Sequence, residues 1–104
     1  SVPTVRLFVY GSLKRGGRHH SELAGARFLG DATTAPGYSL VQLGTYVALV
    51  PKGAGTVVGE LFELESARLS ALDDFEGPEY ERVSLEVLLG AISTKALAYA
   101  KRSR

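Results

Sequence analysis

"FVYGSLKRGGRHH", residues Phe8 to His20, changes character abruptly in the middle. Val5 to Tyr10 is β-branched and aromatic and reads as a buried strand, and Gly11 punctuates its end. A glycine-rich basic loop follows, closed by His19 and His20. A loop of this kind at the mouth of a strand admits three readings: a phosphate cradle, a nucleic-acid patch, or a backbone pocket for a small polar ligand.

The phosphate reading fails where its chemistry lies. Gly11 to Gly16 has the spacing of the first half of a P-loop, but Gly17 and Arg18 stand where Lys and Ser or Thr must reach phosphate and magnesium. The nucleic-acid reading rests on Lys14, Arg15 and Arg18 with a basic tail of Lys101, Arg102 and Arg104. The loop has no aromatic side chain for base stacking, and 12 Lys and Arg against 11 Asp and Glu leave a net charge of only +1. The charged side chains read as a solvated turn. Gly11-Ser12 is different, because a glycine directly after a buried strand lets backbone N–H groups point outward together. Such a cluster holds a carboxylate or a developing oxyanion without side-chain charge. His19 and His20 are adjacent and diverge, with no third ligand at metal spacing nearby, so surface or capping positions suit them. Ser12 paired with either His would make a hydrolase couple, but Ser12 lacks the G-x-S-x-G context.

At 104 residues the chain is expected to form one domain, residues 1–104. The absence of cysteine excludes disulfides, thiolate catalysis and Cys-ligated metals. No apolar run approaches bilayer length and no signal-peptide pattern opens the sequence, so a cytoplasmic location is expected. Strands are predicted over Ala26 to Thr34 and Tyr38 to Leu43 around the Pro36-Gly37 turn, and over Tyr46 to Val50, closed by Pro51-Lys52-Gly53. Thr56 to Leu64 follows, with Gly59 marking a bulge or a close backbone approach. Val83, Leu85, Val87 and Leu89 alternate with Arg82, Ser84, Glu86 and Leu88, the period of a strand with one buried face, and Ser93 to Ala100 is the last strand. His19 to Ala24 is predicted as a short helix stopped by Gly25. A longer helix runs from an N-cap at Ser66 to Glu76, ended by Gly77-Pro78. About seven short strands joined mostly by tight turns imply antiparallel pairing and an α+β domain on a curled sheet or small barrel.

The second informative stretch is "LSALDDFEGPEYER", Leu69 to Arg82. At 3.6 residues per turn, Leu69, Leu72 and Phe75 form the apolar stripe facing the sheet, with Arg68 projecting near it. Glu76 falls between Leu69 and Leu72 at the buried edge, and Asp74 points away. A carboxylate placed there loses hydration, which raises its pKa toward the range of a working general base or acid. Two structural readings stand beside that one: an ion pair of Glu76 with Arg82 or Arg68, and fraying into solvent before Pro78. Calcium binding by Asp73, Asp74, Glu76 and Glu79 is disfavoured, since the D-x-[DN]-x-[DN]-G order is absent.

Taken together, "FVYGSLKRGG", "VVGELFEL" and "LDDFEG" followed by "YER" resemble the gamma-glutamyl cyclotransferase-like (AIG2-like) family, and most of all its gamma-glutamylamine cyclotransferase branch. The likeness runs from Phe8 to the strand of Tyr99. It implies a small mixed, mostly antiparallel β-barrel of six or seven strands flanked by short helices. It also implies that Tyr10, Gly11, Ser12 and Leu13 line a pocket for a glutamyl group. The family's catalytic carboxylate maps onto Glu76, and its Y-x-R pair onto Tyr80 and Arg82, which would shape or support the substrate site. The implied reaction converts a γ-glutamyl amide to 5-oxoproline and a free amine, with no metal and no cofactor. The expected partner is a small γ-glutamyl molecule, with no nucleic acid and no membrane, and the chain acting as a monomer or weak homodimer. Two departures bear on the pocket wall: Tyr46-Val47 stands where many relatives carry Tyr-Pro before "ALV", and the sequence stops shortly after its last strand. The competing class is a non-catalytic module that keeps the pocket for a small carboxylate or metabolite. RNA or an acidic partner, bound through the basic loop and tail, ranks behind both.

Overall fold

The computed structural model describes residues 1–103; Arg104, read above as part of a basic tail, lies outside the described residues. Seven strands follow in chain order: β1 (Thr4–Val9), β2 (Arg27–Thr34), β3 (Tyr38–Leu43), β4 (Tyr46–Gly55), β5 (Val58–Glu65), β6 (Tyr80–Leu89) and β7 (Ile92–Lys101). They hydrogen-bond in the order β1-β5-β2-β6-β7-β4-β3, and β7 returns to β1 through the parallel pair Leu7 and Leu97. Strands β1, β5, β2, β6 and β7 therefore close a five-stranded mixed barrel, and the β3–β4 hairpin hangs from β7 by a second parallel pair, Leu49 and Ala100. The remaining pairings are antiparallel, as the tight turns dictate.

Period-2 alternation sorts the side chains into two cores. Phe8, Leu49, Leu61, Leu85 and Val87 fill one, with Ala96, Ala98 and Ala100 of β7 as the small partners that let bulky residues from the other strands fit. The alternate residues of the same strands, Leu7, Val9, Phe62, Leu64 and Tyr99, face the other way. They pack under Leu13 and Leu23 of the loop after β1 and under Leu72 of α1 (Leu69–Glu76). This second core ties the two informative stretches to the same side of the sheet. Gly59 marks a close backbone approach, as expected: a Cβ there would collide with the Val9 carbonyl oxygen and the Phe8 ring. The end of β1 is thereby free to leave the sheet at Tyr10.

Three local readings are corrected. The His19 to Ala24 segment is a single 3₁₀ turn, His20–Leu23, too short to repay α-helix nucleation. Ser66 does not cap with its side chain; Ser66–Arg68 is a 3₁₀ turn leading into α1, and the Ser66 N–H bonds to the Pro3 carbonyl instead. Strand β4 does not end at Val50 but continues to Gly55, and a register irregularity opposite Tyr38 and Ser39 absorbs Pro51.

Candidate active site

Strand β1 delivers Tyr10 to the mouth of the barrel, and the chain then coils tightly. The Lys14 N–H bonds to the Gly11 carbonyl at 3.1 Å, the His19 N–H to the Ser12 carbonyl at 3.0 Å, and the His20 ring Nδ1 to the Leu13 carbonyl at 2.8 Å. The coil closes only because residue 17 is glycine, since a Cβ there would collide with the Ser12 and Lys14 carbonyl oxygens. So the position that breaks the P-loop pattern has a steric reason of its own. Arg15 pins the coil to the barrel: its N–H and Nε bond the Glu60 carboxylate at 2.8 and 3.2 Å, and its guanidinium lies 3.6 Å over the Phe28 ring.

From the other side, α1 lays Leu72 and Phe75 on the second core and buries Leu69, with Asp74 exposed, as the helical spacing requires. Glu76 is half-buried at the helix end. Neither expected ion pair forms. Arg82 engages Asp73, with Nε at 2.8 Å from Oδ1 and Nη2 at 3.1 Å from Oδ2, while Arg68 donates to the Glu22 carbonyl at 3.0 Å. Loss of hydration, with no cation to offset it, pushes the Glu76 carboxyl from its ordinary 4.5 up to about 7.

The coil and the helix end share one cavity of about 490 Å³. Tyr10, Gly11, Ser12, Leu13, Glu76 and Tyr80 all line it, with Thr45, Tyr46 and Val47 of the hairpin, Phe75, and Tyr99 of β7. Among these lining residues Glu76 alone carries a charge. Tyr10 contributes its ring rather than its hydroxyl, which donates to the Tyr99 carbonyl at 2.6 Å and accepts from the Leu49 N–H at 2.9 Å. Burial also raises the Tyr10 phenol well above its ordinary pKa, so it stays neutral. Val47 stands in the wall at the departure noted in the sequence, 3.5 Å from where a Gly11 Cβ would lie, and the Tyr80 hydroxyl donates to its carbonyl at 3.4 Å.

Arg82 is the one expected site residue outside this lining. It acts at one remove: Asp73, held by Arg82, accepts a 2.7 Å hydrogen bond from the Tyr99 hydroxyl, and Tyr99 is itself a wall of the cavity. Sequence reasoning missed Asp73 and Tyr99 as supports. The available signals were an acid one helical turn before Glu76 and a single large, polar-tipped residue within "KALAYAK". The tail was also misread. Lys101 belongs to β7, and Arg102 bonds the carbonyls of Pro78, Glu79 and Tyr80 and the Glu81 carboxylate, strapping down the segment that follows Glu76.

Comparisons with known proteins agree with this fold. The chain is 37% identical over 89 residues to a gamma-glutamylcyclotransferase family protein, YtfP, of Escherichia coli K12, covering 84% of this chain and 77% of that one. It is 35% identical over 92 residues to a gamma-glutamylaminecyclotransferase of Rattus norvegicus, covering 78% of this chain and 62% of that one. A crystal structure of an AIG2-like protein from Mus musculus superposes with a TM-score of 0.85 at 30% identity, over 98% of this chain and 80% of that one. The family profile described as gamma-glutamyl cyclotransferase, AIG2-like, matches residues 7–104, and the chain belongs to that family.

Proposed function

We propose that the protein is a γ-glutamyl cyclotransferase, releasing 5-oxoproline and an amine from a γ-glutamyl amide, with Glu76 as general base and then general acid. The observation that carries this reading is the pairing, in one cavity, of a desolvated carboxyl near neutrality with a coil of backbone donors. Among the described residues, the hydrogen bonds of the coil use the carbonyls of Gly11, Ser12 and Leu13 rather than the N–H groups of those residues. Those N–H groups suit the α-carboxylate of a glutamyl group or the oxyanion of its reacting carbonyl.

The chemistry balances without another reagent. Ionised Glu76 takes a proton from the substrate α-ammonium, and the freed amine attacks the side-chain carbonyl carbon, forming the ring C–N bond and an oxyanion. Collapse of the oxyanion breaks the bond to the departing nitrogen, which takes the proton back from Glu76 and then the second proton of the ring nitrogen, so that the amine leaves as its ammonium and Glu76 is again ionised. Nucleophile and electrophile belong to one molecule, so the main task of the cavity is to hold it folded. A carboxyl with a pKa of about 7 is suited to both proton transfers at neutral pH.

The lining also bears on the leaving amine. With Glu76 as the one charge, and Tyr46, Val47 and Phe75 on the walls, an uncharged or cationic amine is accommodated better than an amino acid, whose carboxylate would meet no cation. The test is a panel of γ-glutamyl alkylamides, γ-glutamyl-lysine isopeptides and γ-glutamyl amino acids, scored for 5-oxoproline. Release from the first two groups ahead of the third is expected. Thermal stabilisation by the panel with no product would instead identify a binding module.

A further inference from the structure

The paired histidines are not part of the cavity lining, yet both are wired to it, His19 through Ser12 and His20 through the Leu13 carbonyl. In a trans peptide, a carbonyl and the N–H of the next residue point in opposite directions. The Leu13 carbonyl accepts from His20 Nδ1 at 2.8 Å, so the Nδ1 carries the hydrogen and the orientation of the Leu13–Lys14 peptide is set. The Lys14 N–H of that same peptide bonds the Gly11 carbonyl at 3.1 Å, which sets the Gly11–Ser12 peptide in turn. The Ser12 N–H is the opposite end of that peptide, in a residue that lines the cavity. The His20 ring is itself fixed, lying 5.5 Å from the Phe62 ring at an interplanar angle of 48°. Hydrogen-bonded peptides in series polarise one another, so each link strengthens the donor at the end.

We propose that His20 is a positioning residue for substrate binding: its Nδ1–H holds the Leu13 carbonyl and, through two linked peptide groups, aims the Ser12 N–H at the substrate anion. This rests on the cyclotransferase reading of the cavity. It assigns His20 a role in binding rather than in proton transfer, which belongs to Glu76.

Two substitutions separate the role from mere packing. His20→Phe keeps a ring against Phe62 and removes the donor, whereas His20→Asn places an amide N–H where Nδ1 was. His20→Phe is expected to raise KM for the best panel substrate and Kd for 5-oxoproline, measured by NMR titration, about 10-fold, the loss of roughly one hydrogen bond. Its kcat should stay within about 2-fold, and His20→Asn should restore both constants and the wild-type Ser12 amide resonance. His20→Gln, whose amide sits one bond farther out, should behave like His20→Phe and stands in for it if the Phe variant does not fold. An active wild type with unchanged KM and Kd in the Phe and Gln variants overturns the inference and leaves the function standing, as does Asn failing to outperform them. A wild type that neither turns over the panel nor binds 5-oxoproline overturns the functional reading, and this inference with it.

Discussion

The coil from Gly11 to His20 and the helix end at Glu76 face the same cavity, yet they supply it with opposite kinds of chemistry. In the proposed reaction the coil works through its backbone. Its donors have no identity to mutate, and what matters is the path of the chain, set by Gly17, the His20 ring and the Arg15–Glu60 anchor. In the proposed reaction the helix works through one side chain, whose chemistry depends on being a carboxyl and on being stripped of water. A backbone site is therefore broken by adding atoms or releasing an anchor, and a side-chain site by changing one functional group or its hydration.

The largest effect should follow from removing the side-chain chemistry. Glu76→Gln is nearly isosteric and is expected to lower kcat about 10³-fold, within the usual range for general acid–base catalysis, with an unchanged circular dichroism spectrum. Next comes the coil. Gly17→Ala drives a methyl into the Ser12 carbonyl oxygen, and is expected to cost about 2–3 kcal/mol in denaturant unfolding and to raise KM more than it lowers kcat. Equal losses of kcat from both variants would erase the distinction between the two regions.

Smaller effects should come from the supports. Arg82→Met releases Asp73, one helical turn before Glu76, from its two-pronged partner. The pair is about two-fifths exposed on each side, so the stability cost should be only about 1 kcal/mol, with a several-fold loss of kcat as Glu76 loses its fixed position. The smallest effect runs the other way. The Glu76 pKa is raised on folding, so its stabilising contribution is complete below about 4.5 and lost as pH rises through about 7. Above pH 7 the native state holds a poorly hydrated charge that Gln lacks. Glu76→Gln should therefore be more stable than wild type at pH 8, by on the order of 1 kcal/mol after allowing for the solvent that still reaches the group. The difference should vanish near pH 4.

The same contrast explains what could be read from the sequence. Glu76 was legible because helical periodicity states which face a residue occupies, and an acid on an apolar face stands out. The strands were legible from alternation, most clearly Val83 to Leu89, where Leu85 and Val87 are buried and Arg82, Ser84 and Glu86 are exposed. The coil was legible only as a break: Gly11 signalled the end of β1, but nothing local showed that His20 would bond back to Leu13 or that Gly17 would sit under the Ser12 carbonyl. Those contacts belong to a three-dimensional path. The partner of Arg82 was hidden for a related reason. Alternation puts Arg82 on the same strand face as Tyr80, which lines the cavity, and only the packed position of α1 shows that Arg82 meets Asp73 instead. Ser66 reads as a cap from residue type alone, while the real partner of its N–H is Pro3, at the far end of the chain.

The claim beneath all of this is that Glu76 acts as a base because its burial holds its pKa near neutrality. The pH dependence of kcat/KM for 5-oxoproline release reports that ionisation in the free enzyme. The account predicts an acidic limb in which activity falls as pH drops through about 7, and its disappearance from the residual activity of Glu76→Gln. An acidic limb at the ordinary carboxylate value near 4.5, or one that persists unchanged in Glu76→Gln, would contradict it.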